Sequence, residues 1–270
     1  MIVDAVICTY NSGKTLEKCL ESIVRAVPVG NIWIVDNFST DNTVEVAEKF
    51  GANIVKTRLS LAESRKLSFG LAETELFCSF DSDIVLPQDW FKQVYEVYLK
   101  ASGKVGVVWG LTIDQNCLYG EYEKTFYRLK NPCKMSITHM PNMLVNKKAV
   151  EGLYFPECLL SGSIAHEDYW FKKYVRSRGF QVLTAPVVVD HYHTINRLEK
   201  AFWYGAGERV IGRTNFTRLI RSQLLSFIKA LLCGVVSRKI MVFPYMVHYN
   251  FNLMRGWLGW TKFLVLRREK

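Results

Sequence analysis

Short apolar runs alternate with amphipathic stretches along the first part of this 270-residue chain. Strand-length runs rich in Val, Ile and Phe occupy residues 2–8, 32–35, 53–56 and 76–80. Between the first two runs, apolar residues recur at helical spacing, namely Leu16, Cys19, Leu20, Ile23, Val24 and Val27. The repeated order of strand and helix predicts a parallel, doubly wound α/β sheet with right-handed crossover connections.

Local start and stop signals support these helices. Pro28 and Gly30 end the first helix, and Gly51 lies where a left-handed C-cap is expected after the second. Residues 60–63 (Ser-Leu-Ala-Glu) form the pattern of a capping box, in which Ser and Glu satisfy each other's backbone amides. The third helix should therefore begin there and run to about Ala72.

The pattern is less regular after residue 100. Residues 105–109 and 142–145 are predicted strands, and 182–189 contains one or two more. A helix should start at Glu167 and end near Arg178. The aromatic and lysine-rich stretch 112–141 predicts no regular element, and we interpret it as loops beside the site.

Two carboxylates follow the apolar run 76–80, at Asp81 and Asp83. On a strand, residues i and i+2 point the same way, so both side chains can converge on one hard cation such as Mg²⁺ or Mn²⁺. The carboxyl ends of parallel strands are also where open α/β sheets bind ligands. The alternative is a simple turn, which Asp and Ser both favour.

Charge is distributed unevenly along the chain. Residues 1–200 contain 23 basic and 23 acidic residues, whereas residues 201–270 contain 12 basic and 2 acidic ones, so the whole net charge of +10 lies in the last quarter. We therefore predict a first domain over 1–200 and a basic, apolar, helical appendage over 201–270. Such an appendage suits an anionic surface.

The appendage has features of a membrane-surface segment. Its apolar run 224–236 has 13 residues, fewer than the roughly 20 needed to span a bilayer. Aromatic and apolar residues then alternate with cations: Trp257, Trp260, Phe263 and Leu266 with Arg255, Lys262, Arg267 and Arg268. This pattern favours an interfacial helix on anionic lipid. The alternatives are helices that pack on the first domain or on a second copy in a homo-oligomer. The apolar composition argues against nucleic acid as a partner.

The cysteines and the N-terminal residues predict the compartment. The seven cysteines are odd in number, scattered and without a C-x-x-C pair, which is typical of reduced cytoplasmic proteins. Residues 1–4 lead into a strand rather than a signal peptide. We therefore expect a cytoplasmic protein that lies peripherally on the cytoplasmic face of the membrane.

Five short motifs occur in a specific order. They are Val6–Asn11, Val35–Thr43, Glu63–Lys66, Asp81–Asp83 and Glu167–Asp168. Each is weak alone, but together they resemble the inverting glycosyltransferases of family two over roughly residues 2–193. The resemblance implies a GT-A fold, the doubly wound, mostly parallel sheet of nucleotide-diphospho-sugar transferases.

The resemblance also implies how a nucleotide-sugar donor binds. Thr9, Tyr10 and Asn11 would hold the nucleobase and ribose, and Asp36 corresponds to the family's acid that contacts the nucleoside. The family more often has a second acid where this chain has Asn37. An amide both donates and accepts, so UDP-, GDP- and TDP-sugars all remain candidates.

The resemblance gives the diphosphate its own partners. Arg65 would lie near the phosphates, which a planar cation suits, although a solvated helix face is the alternative. Asp83 is expected to be the main metal ligand, with Asp81 and Ser82 closer to the ribose or to a water-bridged contact. The bound Mg²⁺ or Mn²⁺ would neutralise charge on the departing diphosphate.

Glu167 and Asp168 resemble the family's general-base pair, and we assign the base to Asp168. A base on the face opposite the diphosphate gives in-line attack and inversion. The alternative is that both acids merely stabilise a helix N-terminus. His191 or His193 would complete the metal site as in some related enzymes, with His193 preferred; a structural histidine is the alternative.

These inferences predict transfer of a sugar to a hydroxyl of a glycan or lipid-linked acceptor, in glycan or glycolipid assembly at the membrane. The alternative is a non-catalytic sugar-binding or scaffolding module of the same fold, which would be expected to lack Asp83 or Asp168. A dehydrogenase is disfavoured because Thr9–Lys14 contains one glycine rather than a G-x-G-x-x-G loop. A sugar nucleotidyltransferase is disfavoured because no glycine-rich, basic phosphate loop is found near the N-terminus.

Overall fold

The computed structural model describes residues 1–115, 117–129, 140–160, 166–192, 197–212 and 215–259. The strands there are β1 (Val3–Thr9), β2 (Val29–Asp36), β3 (Asn53–Lys56), β4 (Leu76–Asp81), β5 (Ile84–Val85), β6 (Val105–Asp114), β7 (Asn142–Asn146) and β8 (Gln181–His191). The helices are α1 (Leu16–Ala26), α2 (Thr43–Lys49), α3 (Leu61–Leu71), α4 (Trp90–Lys100), α5 (Leu118–Leu129), α6 (Lys147–Val150), α7 (Glu157–Leu160), α8 (Glu167–Ser177), α9 (Arg197–Val210), α10 (Phe216–Val236) and α11 (Val242–Leu258).

The strands form one sheet in the order β3-β2-β1-β4-β7-β6-β8-β5. β1 pairs in parallel with β2 and β4, and β2 pairs in parallel with β3. β7 runs antiparallel between β4 and β6, and β5 is antiparallel to β8. The α/β fold class is therefore confirmed, with a parallel first half and a mixed second half. The carboxyl ends of β1, β2 and β4 share one edge.

The core explains why these segments are strands. All ten residues of β6 and nearly all of β1 are buried. One hydrophobic cluster joins strand residues such as Ile7 to Leu20 of α1 and Trp90 of α4. A strand covered by helices on both faces must be apolar at consecutive positions, which is the pattern seen in the sequence.

Helix α5 contradicts the prediction of an irregular stretch over 112–141. Its aromatic side chains Tyr119, Tyr122 and Phe126 recur at intervals of three and four, and the Tyr122 and Phe126 rings stack with centroids 5.8 Å apart. This period is helical and was present in the sequence. β8 proves to be one strand, and the two-residue β5 was not predicted.

The described contacts divide the chain into two compact units. The sheet unit comprises Met1–Ile113, Pro132–Phe155 and Glu167–Tyr192. The helical unit comprises Asp114–Asn131, Pro156–His166 and His193–Lys270. The helical unit thus includes two segments that precede residue 200 in the chain. The predicted domain boundary at residue 200 stays a prediction.

Close backbone approach defines the packing of the helical unit. A Cβ atom added to Gly205 of α9 would lie 1.9 Å from the carbonyl oxygen of Leu253 in α11. One added to Gly256 would lie 1.9 Å from that of Phe202. The two helices therefore touch through their backbones, and both positions require glycine.

Helix α10 packs against α11 and α5 in the same unit. It has 21 residues and reaches a mean hydropathy of 1.6 over 18 of them, so its length and composition would allow it to cross a membrane. Among the described helices it is the one that meets this criterion. The helix is eight residues longer than the apolar run 224–236, because it begins with two turns that mix apolar, polar and basic residues.

Candidate active site

The parallel pairing of three strands brings the first predicted site residues together. Thr9 at the end of β1 lies opposite Asp36 of β2, and Cys8 lies opposite Asp81 of β4. The chain leaves each strand at the same edge of the sheet. The three separate motifs of the sequence therefore form one site region.

Asp36 organises the loop that follows β2. The residue is fully buried, and its Oδ1 accepts hydrogen bonds from the Thr9 hydroxyl at 3.0 Å and from the Ser39 hydroxyl at 2.5 Å. Its Oδ2 accepts the backbone N–H of Ser39 at 2.9 Å. Ser39 was not among the predicted site residues, although an acid three residues before Ser is a known local turn signal.

Hydrogen bonds join the loop after β1 to the turn that follows β2. Asn11 has a left-handed φ of 48°, and its side-chain oxygen accepts the N–H of Thr40 at 2.8 Å. The backbone N–H of Asn37 donates to the Thr9 carbonyl at 2.9 Å. Asn tolerates this backbone region better than most residues. Tyr10, by contrast, leaves 62% of its surface exposed, so its ring is available to a ligand.

Asp81, Asp83 and His191 form a cluster of ligand-type atoms that all lie within 4.8 Å of one another. The antiparallel pairing of Ile84 with His191 brings β8 beside the Asp-Ser-Asp segment, and His191 Nε2 lies 3.0 Å from Asp83 Oδ1. Two carboxylates and an imidazole are a donor set that suits Mn²⁺ or Mg²⁺. His193 lies outside the described residues.

Arg65 joins this cluster to the second acidic motif. Its guanidinium contacts Asp81 at 2.7 Å and Glu167 at 3.6 Å, and the residue is only 7% exposed. The alternative of a solvated helix face is therefore wrong. Burial opposes the charge, but the carboxylates of Asp81 and Glu167 outweigh it and hold the Arg65 pKa above its usual value.

The capping box predicted from the sequence positions Arg65. The Ser60 hydroxyl accepts the N–H of Glu63, and the Glu63 carboxylate accepts the N–H of Ser60. This reciprocal pair fixes the start of α3 one turn before the arginine.

Glu167 and Asp168 differ in their surroundings at the start of α8. Glu167 faces Arg65, whereas Asp168 Oδ1 accepts the N–H of Tyr169 at 2.7 Å. The 3.6 Å ion pair joins Arg65 to Glu167, and the Asp168 carboxylate also raises the Arg65 pKa.

Two further residues belong to the site region. The Ser12 hydroxyl lies 2.8 Å from that of Ser82, which links the loop after β1 to the Asp-Ser-Asp segment. Sequence reasoning missed Ser12, and no local pattern marks a pair 70 residues apart. Cys8 is half-buried, and desolvation raises the pKa of its thiol to about 11, which favours the neutral form.

Residues 4–151 match the family model described as Glycosyl transferase family 2. The match covers more than half of the chain and includes all the strand-end residues described above up to Asp83. The chain therefore belongs to glycosyl transferase family 2.

Two curated proteins are similar over part of the chain. Protein RfbJ of Shigella flexneri is 30% identical over 87 residues, which are 32% of this chain and 62% of that protein. Glycosyltransferase GlyG of Streptococcus pneumoniae serotype 4 is 25% identical over 103 residues, 35% of this chain and 34% of that protein. The similarity thus spans less than two thirds of either relative.

A solved structure extends the similarity to most of the fold. The mannosyltransferase PcManGT of Pyrobaculum calidifontis, in complex with GDP-Man and Mn²⁺, superposes with a TM-score of 0.66 at 14% identity. The alignment covers 96% of this chain and 86% of that one. The predicted GT-A fold is therefore confirmed.

Proposed function

We propose that this protein is an inverting, metal-dependent glycosyltransferase that moves a sugar from a nucleotide-diphospho-sugar to an acceptor hydroxyl. The observation that carries the proposal is the convergence of Asp81, Asp83 and His191 beside the buried Arg65 in a chain of family 2. PcManGT, which shares the fold, binds GDP-Man and Mn²⁺.

The diphosphate end of the donor would lie at Asp81 and Asp83. Both carboxylates and His191 would hold a divalent cation there, which would neutralise charge on the departing diphosphate. Arg65 keeps Asp81 and Glu167 at fixed positions through its ion pairs. It thereby sets the distance between the metal-binding and base-bearing segments, and its permanent charge adds to the positive potential around the phosphates.

Asp168 is our general base. Glu167 already forms an ion pair with Arg65, so that side chain engages its carboxylate. Asp168 is the second residue of the same helix and would take the proton of the acceptor hydroxyl. Attack from the face opposite the diphosphate inverts the anomeric centre.

The nucleoside would lie on the loops after β1 and β2. Asp36 is fully buried within its own hydrogen bonds, so it would shape this pocket, with Thr9 and Asn11, rather than lie on its surface. The exposed ring of Tyr10 offers a stacking surface, with Asn37 beside it. UDP-, GDP- and TDP-sugars remain the donor classes, and a glycan or lipid-linked hydroxyl the acceptor.

The experiment is a thermal-shift panel of UDP-, GDP- and TDP-sugars with and without Mn²⁺, repeated on two variants. A ligand that binds only the folded protein raises its apparent stability. We expect one donor class to raise the midpoint only with Mn²⁺. Asp83→Asn should abolish that shift, whereas Asp168→Asn should keep it and lower the transfer rate by about 10³-fold, within the range of general-base and electrostatic effects.

Glu48→Gln is the matched control, because Glu48 is an exposed acid on α2 of the same unit. It should bind and transfer like the unmodified protein. Undiminished turnover by Asp168→Asn would refute the base assignment. Failure of every donor to shift the midpoint would favour the alternative, a non-catalytic module of the same fold.

A further inference from the structure

Helix α10 has two faces of opposite character. One face packs within the helical unit through Leu219, Gln223, Ala230 and Cys233, all of them buried. The other face leaves seven large apolar side chains between 46% and 69% exposed, namely Leu224, Leu225, Ile228, Leu231, Leu232, Val235 and Val236. At 100° per residue these seven lie on one side of the helix, over its last 13 residues. A contiguous apolar surface of this kind marks an interaction site.

Positive charge surrounds this apolar face. α10 contains no Asp or Glu. Arg218 and Arg221 lie exposed before the apolar residues, and Arg238 lies exposed after them, next to Lys239, whose ammonium pairs with Glu121 at 3.0 Å. Ile240 and Met241 follow directly and are 80% and 63% exposed. Apolar side chains framed by cations complement a bilayer surface, which offers acyl chains beneath anionic headgroups.

The same charges disfavour a second copy of the chain as the occupant. A two-fold symmetric contact would place α10 against its copy, with the same residues on both sides. If the two helices ran antiparallel, the Arg218 and Arg221 end of one helix would meet the Arg238 end of the other. Like charges would face each other at both ends, which costs free energy.

The whole of α10 is long enough to cross a membrane, but the length of its exposed apolar face favours a position in the plane of the membrane. Its apolar stretch of 13 residues is about 20 Å long, shorter than the roughly 30 Å hydrocarbon core. The packed face of the helix also keeps polar contacts, since Asn250 of α11 donates a hydrogen bond to the Ser226 hydroxyl at 2.9 Å. Lys229 projects to the side, with its ammonium 5.3 Å from the centre of the Phe126 ring.

We propose that α10 binds an anionic lipid bilayer in the plane of its surface, with the Leu224–Val236 face inserted at the boundary of headgroups and acyl chains. Attachment is peripheral and adds to the interfacial helix that the sequence predicts around residues 255–268, of which residues 260–268 lie outside the described residues. The proposal does not depend on the proposed catalytic function, because it concerns binding to lipid without donor or metal.

Vesicle flotation of the full chain tests this proposal. Vesicles of phosphatidylcholine with 30% phosphatidylglycerol are compared with phosphatidylcholine alone. We expect the unmodified protein to float with the anionic vesicles. A triple variant with Ile228→Gln, Leu232→Gln and Val235→Gln should lose at least 90% of this binding. These side chains face solvent, so the variant should fold, which its circular dichroism spectrum checks.

The matched control changes three equally exposed apolar residues of the sheet unit: Ile2→Gln, Val24→Gln and Leu99→Gln. This control should float normally. A charge variant with Arg218→Gln, Arg221→Gln and Arg238→Gln should weaken binding to anionic vesicles by roughly 100-fold, at about one kcal/mol for each charge, and leave binding to neutral vesicles unchanged. Equal flotation of the triple α10 variant and the unmodified protein would overturn the proposal.

Sedimentation without lipid tests the second copy as occupant. A dimer that the triple α10 variant dissociates, together with no vesicle binding, would show that a second copy covers this face. Insertion in the plane is tested with Thr217→Cys and Ser237→Cys on sealed vesicles. A membrane-impermeant maleimide added outside should label both cysteines, as located by peptide mass spectrometry. Protection of one end alone would show a spanning helix and refute the in-plane arrangement.

Discussion

The two units of this chain place their charged and apolar residues differently. The sheet unit buries apolar strands and brings its acids to the strand ends, where Asp81, Asp83 and His191 meet. The helical unit leaves a contiguous set of leucine, isoleucine and valine side chains exposed on α10. A protein surrounded only by water gains nothing from the second arrangement. The contrast separates the candidate site, which lies in the sheet unit, from the exposed apolar surface of the helical unit, for which we propose a membrane interface.

The buried charges of the helical unit form a connected group. The guanidinium of Arg197 donates two hydrogen bonds to the Asp114 carboxylate, one of them 2.8 Å long between Nη2 and Oδ1. The N–H of Asp114 in turn donates to Glu123 at 2.9 Å. Arg197 also lies over the Tyr119 ring, with its central carbon 5.0 Å from the ring centre. A buried group of this kind fixes one arrangement of helices, because any other would leave a charge without its partner.

The largest expected effect is a loss of stability confined to the helical unit. Gly205→Ala places a methyl group 1.9 Å from a backbone oxygen, so α9 and α11 must separate. We expect a loss of about 3 kcal/mol or more in the stability of the helical unit. Hydrogen exchange read by mass spectrometry should show that the substitution accelerates exchange more in α9–α11 than in β1–β4, relative to the unmodified protein.

Gly234→Ala in α10 is the control for this glycine contact. Its added methyl group meets its nearest atoms at 3.7 Å, an ordinary contact, so the helix should gain up to about 1 kcal/mol. Equal behaviour of the two variants would contradict the close contact between α9 and α11.

The second prediction concerns a buried charge of the sheet unit. Arg65→Met leaves Asp81 and Glu167 without their shared cation, and we expect the sheet unit to lose about 3 kcal/mol, as measured by urea unfolding. Both carboxylates keep some contact with water, which limits the cost. Lys66→Met is the control, since Lys66 is exposed and has no ion pair among the described residues; its stability should change by less than about 0.5 kcal/mol.

The third prediction concerns how the stability of the helical unit depends on pH. Burial, with the nearby Asp114 carboxylate, raises the Glu123 pKa from 4.5 to about 8. The folded carboxyl therefore holds its proton more tightly than the unfolded one. Its stabilising contribution is present below pH 4.5 and is lost as the pH rises towards and through 8, by on the order of a few kcal/mol.

Glu123→Gln should remove this loss, because the amide stays neutral and its oxygen can still accept the N–H of Asp114. This prediction is checked by hydrogen exchange of the helical unit at pH 5, 7 and 9, with each rate corrected for the intrinsic exchange rate at that pH. Glu121→Gln is the control, because Glu121 is less buried and pairs with Lys124 and Lys239. If Glu123→Gln kept the pH dependence of the unmodified protein, the assignment of that dependence to Glu123 would be refuted.

The smallest expected effect is at the start of α3. Ser60→Ala removes the hydroxyl that accepts the Glu63 N–H, and a lost cap costs about 1 kcal/mol. Urea unfolding followed by a probe in the sheet unit measures the loss. Ser60→Thr should restore most of the stability, since threonine caps nearly as well; an equal loss in both variants would mean that the hydroxyl does not act as a cap.

Sequence and structure agree best where the information is local. The buried strands, the capping box at Ser60 and the Asp-Ser-Asp end of β4 all follow from the period and identity of neighbouring residues. Helix α5 was missed although its aromatic residues recur at helical spacing, because lysines and tyrosines masked the amphipathic pattern. The predicted roles of the site residues stay predictions, although the structure brings most of them to one edge of the sheet.

The sequence by itself determined the α/β class, the order of the motifs and the basic character of the last quarter, since these depend on residue type and spacing. Only the tertiary structure decided that Arg65 is buried between Asp81 and Glu167, that Ser12 contacts Ser82, and that His191 joins the two aspartates. It also decided which side of α10 the described residues leave exposed. Each of these depends on pairing between segments far apart in the chain, and that pairing is set by the packing of the whole sheet or bundle rather than by any local pattern.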